Sequence, residues 1–531
     1  MKRGFRTLLF RISIANKPSF LSARGAGTAA AHATTALAII LLSLTSCTPG
    51  PAYHRPSAAT PAAPNYKESP VNFPDDQGWK VASPQDSMLR GNWWEVFQQP
   101  ELNDLEKQLN INNENIKVYF ENYMVARAQL RETHAQYYPT ASISPGVTRS
   151  HSSGTLAPGA NGVGTGNGAQ LTDISLPLEI SWAPDLFGRV RNAVKAARAA
   201  AQVSAADLEN ERLLEQATLA ETFFEIRGQD QLLKILNDTV KADQEVLDLA
   251  QARLDVGTDS EVPVDQARET LEAAKAAAEA AAITRAQYEH AIATLLGKAA
   301  TDFSMPVQPL VSQPPSIPTG APSQLLERRP DIAAAERQMA QANANIGVGY
   351  AAYYPSLTIS ASGGFATGAI SKLFNTASRT WSVGPSVSET IFDGGLRRAT
   401  IQQYVATYNA DLANYRQTVL NAFQQVEDTL AQTRLGVQEV TLQQAAVDAA
   451  QKAYDLEKWR YQTGLDPYLN LLTAQTTLLS AQQTLVNAQV QQMTSAVLLV
   501  EALGGGWDAS QLPTAQQVSE KPPHDQQVIQ Q

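Results

Sequence analysis

The stretch RYQTGLDPYLNLLTAQ, residues 460–475, breaks an Ala- and Gln-rich helical run with a sharp turn, and RLDVGTDSEVPVDQAR, residues 253–268, does the same 207 residues earlier. Each begins with Arg (Arg460, Arg253), places Gly four residues later (Gly464, Gly257) and Asp two after that (Asp466, Asp259). Glycine permits the tight reversal that a helical hairpin needs. The flanks are free of proline from Asp185 to Val262 and from Ser386 to Asp466. Each flank holds a helical run of about seventy residues, roughly 100 Å long at the helical rise. No globular domain encloses such a rod. It belongs to a coiled coil or a tube, with Ala allowing close approach of neighbours. The mixed three/four spacing of Leu232, Leu233, Leu236, Val240 and Leu247 fits that reading. The returning helices are shorter and end at ATLLGK and VEALGGG, where Gly acts as a stop.

The two turns are part of a longer register. Gly188 and Gly395, Arg191 and Arg398, Arg253 and Arg460, Gly257 and Gly464, Asp259 and Asp466, and Gly297 and Gly504 all share the offset of 207. YYPTASIS (137–144) matches YYPSLTIS (353–360) at a slightly larger one. A unit of helix, strand, strand, long helix, turn and return helix is therefore duplicated over most of 114–297 and 330–504.

Four segments alternate apolar with small or polar residues: ASISPGVTRS (141–150), DISLPLEISW (173–182), SLTISASGGF (356–365) and TWSVGPSVSE (380–389). Alternation over about ten residues is the signature of a transmembrane β-strand. A Gly-rich polar loop joins the first pair and a shorter one the second, as expected of hairpins projecting from a membrane. Beyond the N-terminal apolar run no segment is long and apolar enough for a transmembrane helix. Four strands cannot close a barrel, and an open edge in lipid leaves backbone groups unpaired. If these strands enter a membrane, the chain must oligomerise.

Composition excludes several classes. The 531 residues are 44% hydrophobic and 17% charged, so the chain is not compositionally disordered. A net charge of −10 argues against a general nucleic-acid binder. The six histidines are scattered without metal-ligand spacing. GVGTGNG lacks the Lys-Ser/Thr of a phosphate-binding loop, and Arg329 and Glu336 read as charges at a helix start. The chain reads as no enzyme, with no cofactor and no metal.

The N-terminus carries Lys2, Arg3, Arg6, Arg11, Lys17 and Arg24 with no acidic residue, then ALAIILLSL, then LTSC. This is the pattern of a secretory signal over 1–46. Leu44-Thr45-Ser46-Cys47 resembles a bacterial lipobox, which makes Cys47 the lipidated N-terminus. Thr48 after it resembles outer-membrane sorting, and full lipidation would anchor the chain stably.

The motifs together resemble the TolC-like outer-membrane efflux proteins, in the OprM/NodT lipoprotein branch. CTPGPAYHRP, WWEVFQQPELNDL (93–105), EISWAPDLFGRVR (179–191), LLERRPDIAAAE (325–336), ETIFDGGLRRA (389–399), EALGGGW (501–507) and both turns carry the resemblance, over nearly the whole mature chain. It implies a mainly α fold with a transmembrane β part: four strands and long coiled helices per chain, in a trimer whose 12-stranded barrel continues into an α-helical periplasmic tunnel. The implied divisions are an acylated extended segment (47–85), a first repeat (86–300, strands about 140–184), a Pro-rich equatorial linker (301–323), a second repeat (324–506, strands about 355–391) and a flexible tail (507–531). It further implies the exit duct of a tripartite efflux pump. Such a duct passively conducts drugs or other small toxic compounds and works with a periplasmic adaptor (membrane-fusion) protein and an inner-membrane pump of resistance-nodulation-division or similar type.

By the same resemblance the turns form the periplasmic gate and adaptor-docking tip. The residues are Arg253, Gly257, Asp259, Val262, Asp265, Arg460, Tyr461, Gly464, Asp466, Leu469, Leu472 and Thr473. Leu469 falls where OprM-like proteins carry a constricting leucine, and Tyr461 where TolC has a tyrosine that ties the closed tip. Asp466 stands in place of a bridging Arg, and Thr473 in place of a pore-facing Asp ring. Closing electrostatics then fall to Asp259, Glu261, Asp265, Arg460 and Asp466. Rival readings are a type I protein-secretion duct, a structural periplasmic coiled-coil lipoprotein and an adaptor protein. The last should carry one hairpin between lipoyl-like segments; the scaffold leaves the four alternating strands unexplained.

Overall fold

The computed structural model describes residues 49–55, 66–68, 91–151, 153, 170–310, 314–315, 317 and 328–520. The signal segment and Cys47 lie outside them, as does most of the 47–85 segment. The elements repeat with almost constant lengths. α1 (Pro100–Asn112) and α2 (Glu114–Ala135) precede β1 (Thr140–Ile143), β2 (Gly146–His151) and β3 (Gln170–Trp182). The hairpin α3 (Arg189–Asp255) and α4 (Glu261–Leu295) follows. The second unit is α5 (Pro330–Ala351), β4 (Ser356–Thr367), β5 (Arg379–Ser388), α6 (Leu396–Gln462) and α7 (Tyr468–Ala502). α3 and α6 are both 67 residues long, and α4 and α7 both 35.

All strand pairings are antiparallel, in the order β1/β2–β3–β4–β5. The expectation of four strands needs one correction. The first is split at Ser144-Pro145 into β1 and β2, which pair with two stretches of β3. Pro145 has no N–H to give the ladder, so four strand positions hold five segments. No residue of any strand is buried, so the sheet is a single layer with both faces open and two free edges. Ile174↔Thr367 through Trp182↔Ile359 join the two repeats in the middle of that layer.

Each long helix is launched by an aspartate. Asp185 accepts from the backbone N–H groups of Val190 (3.2 Å) and Arg191 (2.9 Å) and pairs with the Arg191 guanidinium (3.1 Å). Asp393 does the same with Gly395, Arg397 and the Arg397 guanidinium. The functional equivalent of Arg191 is thus Arg397, one residue before the Arg398 that the constant offset matches. Asp185 precedes its arginine by six residues and Asp393 by four, so the two caps differ by two residues in spacing.

The largest core lies where the segment 93–109 packs across α3 and α7. Trp93, Trp94, Phe97, Leu102, Leu105 and Leu109 pack there on Phe223 and Phe224 of α3 and Val497 and Val500 of α7. Beneath it, buried Asp230 accepts from Arg227 (3.2 Å), Arg285 (2.6 Å) and the Gln308 backbone N–H (2.9 Å). Arg285 also donates to the Met305 carbonyl (2.9 Å), which pins the chain after α4 onto α3 and α4. The flexible tail expected from 507 is corrected for 507–520. Trp507 is buried, a short helix α8 (Ala515–Ser519) carries a capping box, and Val518 packs on Leu130, Val194 and Ala201. Arg127 holds it by donating to the carbonyls of Gln517, Val518 and Glu520.

Candidate functional site

Both turns end their helices in the same way. The Gly257 N–H donates to the Leu254 carbonyl (2.9 Å) and Thr258 to Arg253 (3.0 Å); Gly464 donates to Tyr461 (3.0 Å) and Leu465 to Arg460 (2.9 Å). This pair of bonds is the Schellman motif, with glycine in the left-handed region at φ 75° and 78°. The turns lie side by side because Arg253 crosses from one to the other. Its guanidinium donates to the carbonyls of Tyr461 and Gln462 and sits 4.4 Å from the centroid of the Tyr461 ring.

Tyr461 is buried under that arginine, 5.7 Å from the ring of Tyr468, and burial pushes its phenol pKa up. Its hydroxyl has no hydrogen-bond partner. Tyr461 therefore joins the two turns through its ring face and its backbone carbonyl. Around it Val246, Ala267, Tyr454, Tyr468, Leu471 and Leu478 form a core shared by α3, α4, α6 and α7. The Tyr468 hydroxyl reaches Thr270 on α4 at 3.4 Å. The paired hairpins are thus joined by aromatic packing, and sequence reasoning left out Tyr454 and Tyr468 because they look like ordinary helix residues.

The charges divide by role. Arg460 and Asp466 form an ion pair across the second turn, with a further Nη2–Oδ1 bond of 3.1 Å. The Arg460 hydrogen bond holds the Asp466 carboxyl below the usual carboxylate range. Asp259 accepts from the Ser260 N–H (2.9 Å), and Asp265 pairs with Arg268 on its own helix (3.3 Å). Among the charged residues described in the two turns, Arg253 alone makes a hydrogen bond from one turn to the other, while the bonds of Asp259, Asp265 and Asp466 are local.

The apolar residues point outward. Val256 (78%), Val262 (60%), Leu465 (62%) and Leu469 (59%) are exposed at the very end of the hairpins. Leu472 is half-buried against the aromatic core, and Thr473 is exposed with its hydroxyl donating to the Leu469 carbonyl (2.8 Å). Thr473 lines a groove between α6 and α7 with Ala450, Ala453, Glu457, Asn470, Ala474 and Thr477. Among the described residues no cluster of His, Cys, Asp and Glu could hold a metal ion. No helix among them is long and apolar enough to cross a membrane.

The family model for outer membrane efflux proteins matches residues 105–298 and 321–505. The probable efflux pump outer membrane protein TtgC of Pseudomonas putida is 31% identical over 385 residues, 72% of this chain and 77% of that protein. Among solved structures, the outer-membrane channel OprN superposes with a TM-score of 0.75 at 29% identity, over 87% of this chain and 100% of its own. The open state of the Neisseria gonorrhoeae MtrE outer membrane channel gives 0.73 at 25% identity, over 87% and 99%.

Proposed function

Because the chain belongs to the outer membrane efflux protein family, we propose that its working form is a homotrimer whose paired turns dock a periplasmic adaptor. It is the outer-membrane exit duct of an efflux pump, reaching into the periplasm, and it performs no catalysis.

The observation that carries the assembly is the uneven covering of the two long helices. α3 packs on α2 and α4 of its own repeat and on α5 and α7 of the other. α6 has the equivalents of the first two, α5 and α7, as its main partners and lacks counterparts of the second two. Its Leu435, Leu442 and Leu456, spaced in sevens, stay half or more exposed. Leu420 is 45% exposed where its repeat equivalent Leu213 is 8%. By the internal repeat, α2 and α4 of a neighbouring copy fill that place, and β5 then meets the neighbour's β1/β2. Three copies supply the twelve strand positions of one barrel, and heptad leucines are the residues such a seam requires.

The lipid anchor is supported by the path of the N-terminal strap. Asn192 donates to the Pro49 carbonyl (3.3 Å), Asn343 to that of Pro51 (3.1 Å), and the Tyr53 hydroxyl donates to Glu336 (2.5 Å). Asn192 lies in the first turn of α3, just below the sheet. Cys47 precedes Pro49 by two residues in the sequence, and full lipidation there would anchor the chain stably. We propose drugs and other small toxic compounds as cargo, with an inner-membrane pump of resistance-nodulation-division or similar type supplying the energy.

The test is photo-crosslinking in cells from Val256 and Leu465, beside the two glycines, with captured partners identified by mass spectrometry. A periplasmic adaptor at both positions is the expected result. Its absence at both, with normal outer-membrane abundance, overturns the docking assignment.

A further inference from the structure

The seam between the two hairpins carries a polar pair where its spacing calls for apolar residues. On α3, Leu236 and Ala250 are buried seven residues either side of Asp243, and Asp243 is buried with them at 2% exposure. On α7, Tyr468, Leu471 and Leu478 form the buried stripe that contains Gln475. Gln475 Nε2 donates to Asp243 Oδ1. The remaining oxygens, Asp243 Oδ2 and Gln475 Oε1, are both buried and both lack a partner. Two acceptors cannot satisfy one another, and leaving them bare in a closed seam is costly. One added proton pairs both at once.

We propose that Asp243 holds a proton and forms a cyclic acid–amide pair with Gln475: Nε2–H to Oδ1 and Oδ2–H to Oε1, a proton-binding latch between the first and second hairpins. The proton comes from solvent and returns to it, so the latch is a titration with no other reactant. Burial also pushes the Asp243 carboxyl up, in the direction that keeps it neutral. Other groups that face it are few. α6 brings Tyr454, whose buried hydroxyl has no partner, and Lys458, already paired with Glu245 (3.2 Å). Tyr454 also feels the charges of Asp243, Glu245 and Asp455. α7 brings Tyr468, and α4 brings Glu269, whose charge reaches Tyr468 as that of Asp243 does. Among the described residues no cation pairs with Asp243 to favour its charged form.

The sign follows from the raised pKa. The closed seam binds one more proton than an opened one, so the latch is complete below the ordinary carboxylate range. It weakens as pH rises, by about tenfold in the opening equilibrium per pH unit, until Asp243 itself titrates. That this loosens the tip rests on the duct reading above; the proton on Asp243 does not.

The test is amide hydrogen exchange of residues 468–478 in the assembled full chain, with pH as the variable and Asp243→Asn as the reference at each pH. Asparagine replaces the proton by an N–H and keeps both bonds, so its seam should not respond. The expected result is opening in the wild type that grows relative to Asp243→Asn with pH, by about tenfold per unit. An infrared band of a protonated carboxyl that persists above the ordinary carboxylate range, absent from Asp243→Asn, should accompany it. A constant ratio, or no such band, overturns the proposal. Loss of the pH response in Tyr454→Phe also overturns it, because the proton would then be shared with Tyr454. Should Asp243→Asn not assemble, the double substitution Asp243→Leu with Gln475→Leu serves as the pH-insensitive reference. Failure of adaptor capture leaves both readouts in place, so the two proposals fail separately.

Discussion

Arg253 of the first hairpin lies 4.4 Å from the ring centroid of Tyr461 in the second and donates to that residue's backbone carbonyl. One side chain thus couples two turns that the duplication made separately. Removing it leaves a buried aromatic face and a carbonyl without their cation. Arg253→Ala should weaken the contact between the turns by about 2 kcal/mol, summing a cation–π contact and a charged hydrogen bond. Arg253→Lys should recover only part of this, because an ammonium cannot fork to two carbonyls and stack. Tyr461→Phe should be close to neutral, since the hydroxyl has no partner. Open probability of the reconstituted channel checks all three.

The Arg460–Asp466 pair makes the second turn sensitive to acid. Asp466 titrates below its ordinary range because Arg460 donates to it. A depressed carboxylate contributes order above its unfolded pKa and loses it as pH falls through the folded one. Exchange at residues 463–467 should therefore rise only below about pH 4, and Asp466→Asn should already show the acid behaviour at neutral pH. This response runs opposite to that of Asp243, so the two are separable in one titration.

Gly464 and Gly504 both end helices with positive φ, 78° and 93°, yet they should respond differently to alanine. At Gly464 an added Cβ meets nothing within 4 Å, so Gly464→Ala carries only the left-handed backbone penalty of about 1 kcal/mol. At Gly504 the Cβ would lie 2.1 Å from the Arg328 carbonyl oxygen. Backbone must move there, and Gly504→Ala should lose most of the assembled oligomer. Yield and thermal stability of the detergent-extracted oligomer distinguish the two.

The same contrast explains what was legible beforehand. Helix ends marked by glycine at one offset, proline-free runs and alternating strands are local signals, and they gave the duplicated plan with its hairpin turns at Gly257 and Gly464. The missing parts are long-range. Asp243 meets Gln475 across 232 residues, and nothing near either announces the other. The folded segment 507–520 is held by Arg127 through backbone carbonyls, which leave no mark in residue identity. Arg397 takes the place of Arg191 because a cap depends on where Asp393 stands, not on a constant offset.

The cluster around Asp230 sets the order of the chain segment that follows α4. Asp230 is fully buried and receives two guanidinium groups, from Arg227 and Arg285, as well as the Gln308 backbone N–H. Asp230→Ala removes the acceptor the two arginines share, while Arg227 keeps Glu101 and Arg285 keeps Glu289, so the loss comes from buried donors left unmet and should be about 2–3 kcal/mol. Asp230→Asn keeps the shape but removes the charge, and should recover little of it. The linker from Met305 to Gln308 is held by this network, so it should come loose first. Proteolysis within 303–310 should appear in Asp230→Ala under conditions where the wild type is resistant. Double substitution of Asp230 with Arg285 should be no more harmful than Asp230→Ala alone if the Asp230 pair is what matters, because the guanidinium with an unmet N–H is then gone. A double variant worse than the single one would mean that Arg285 is needed for its bond to the Met305 carbonyl rather than for the pair.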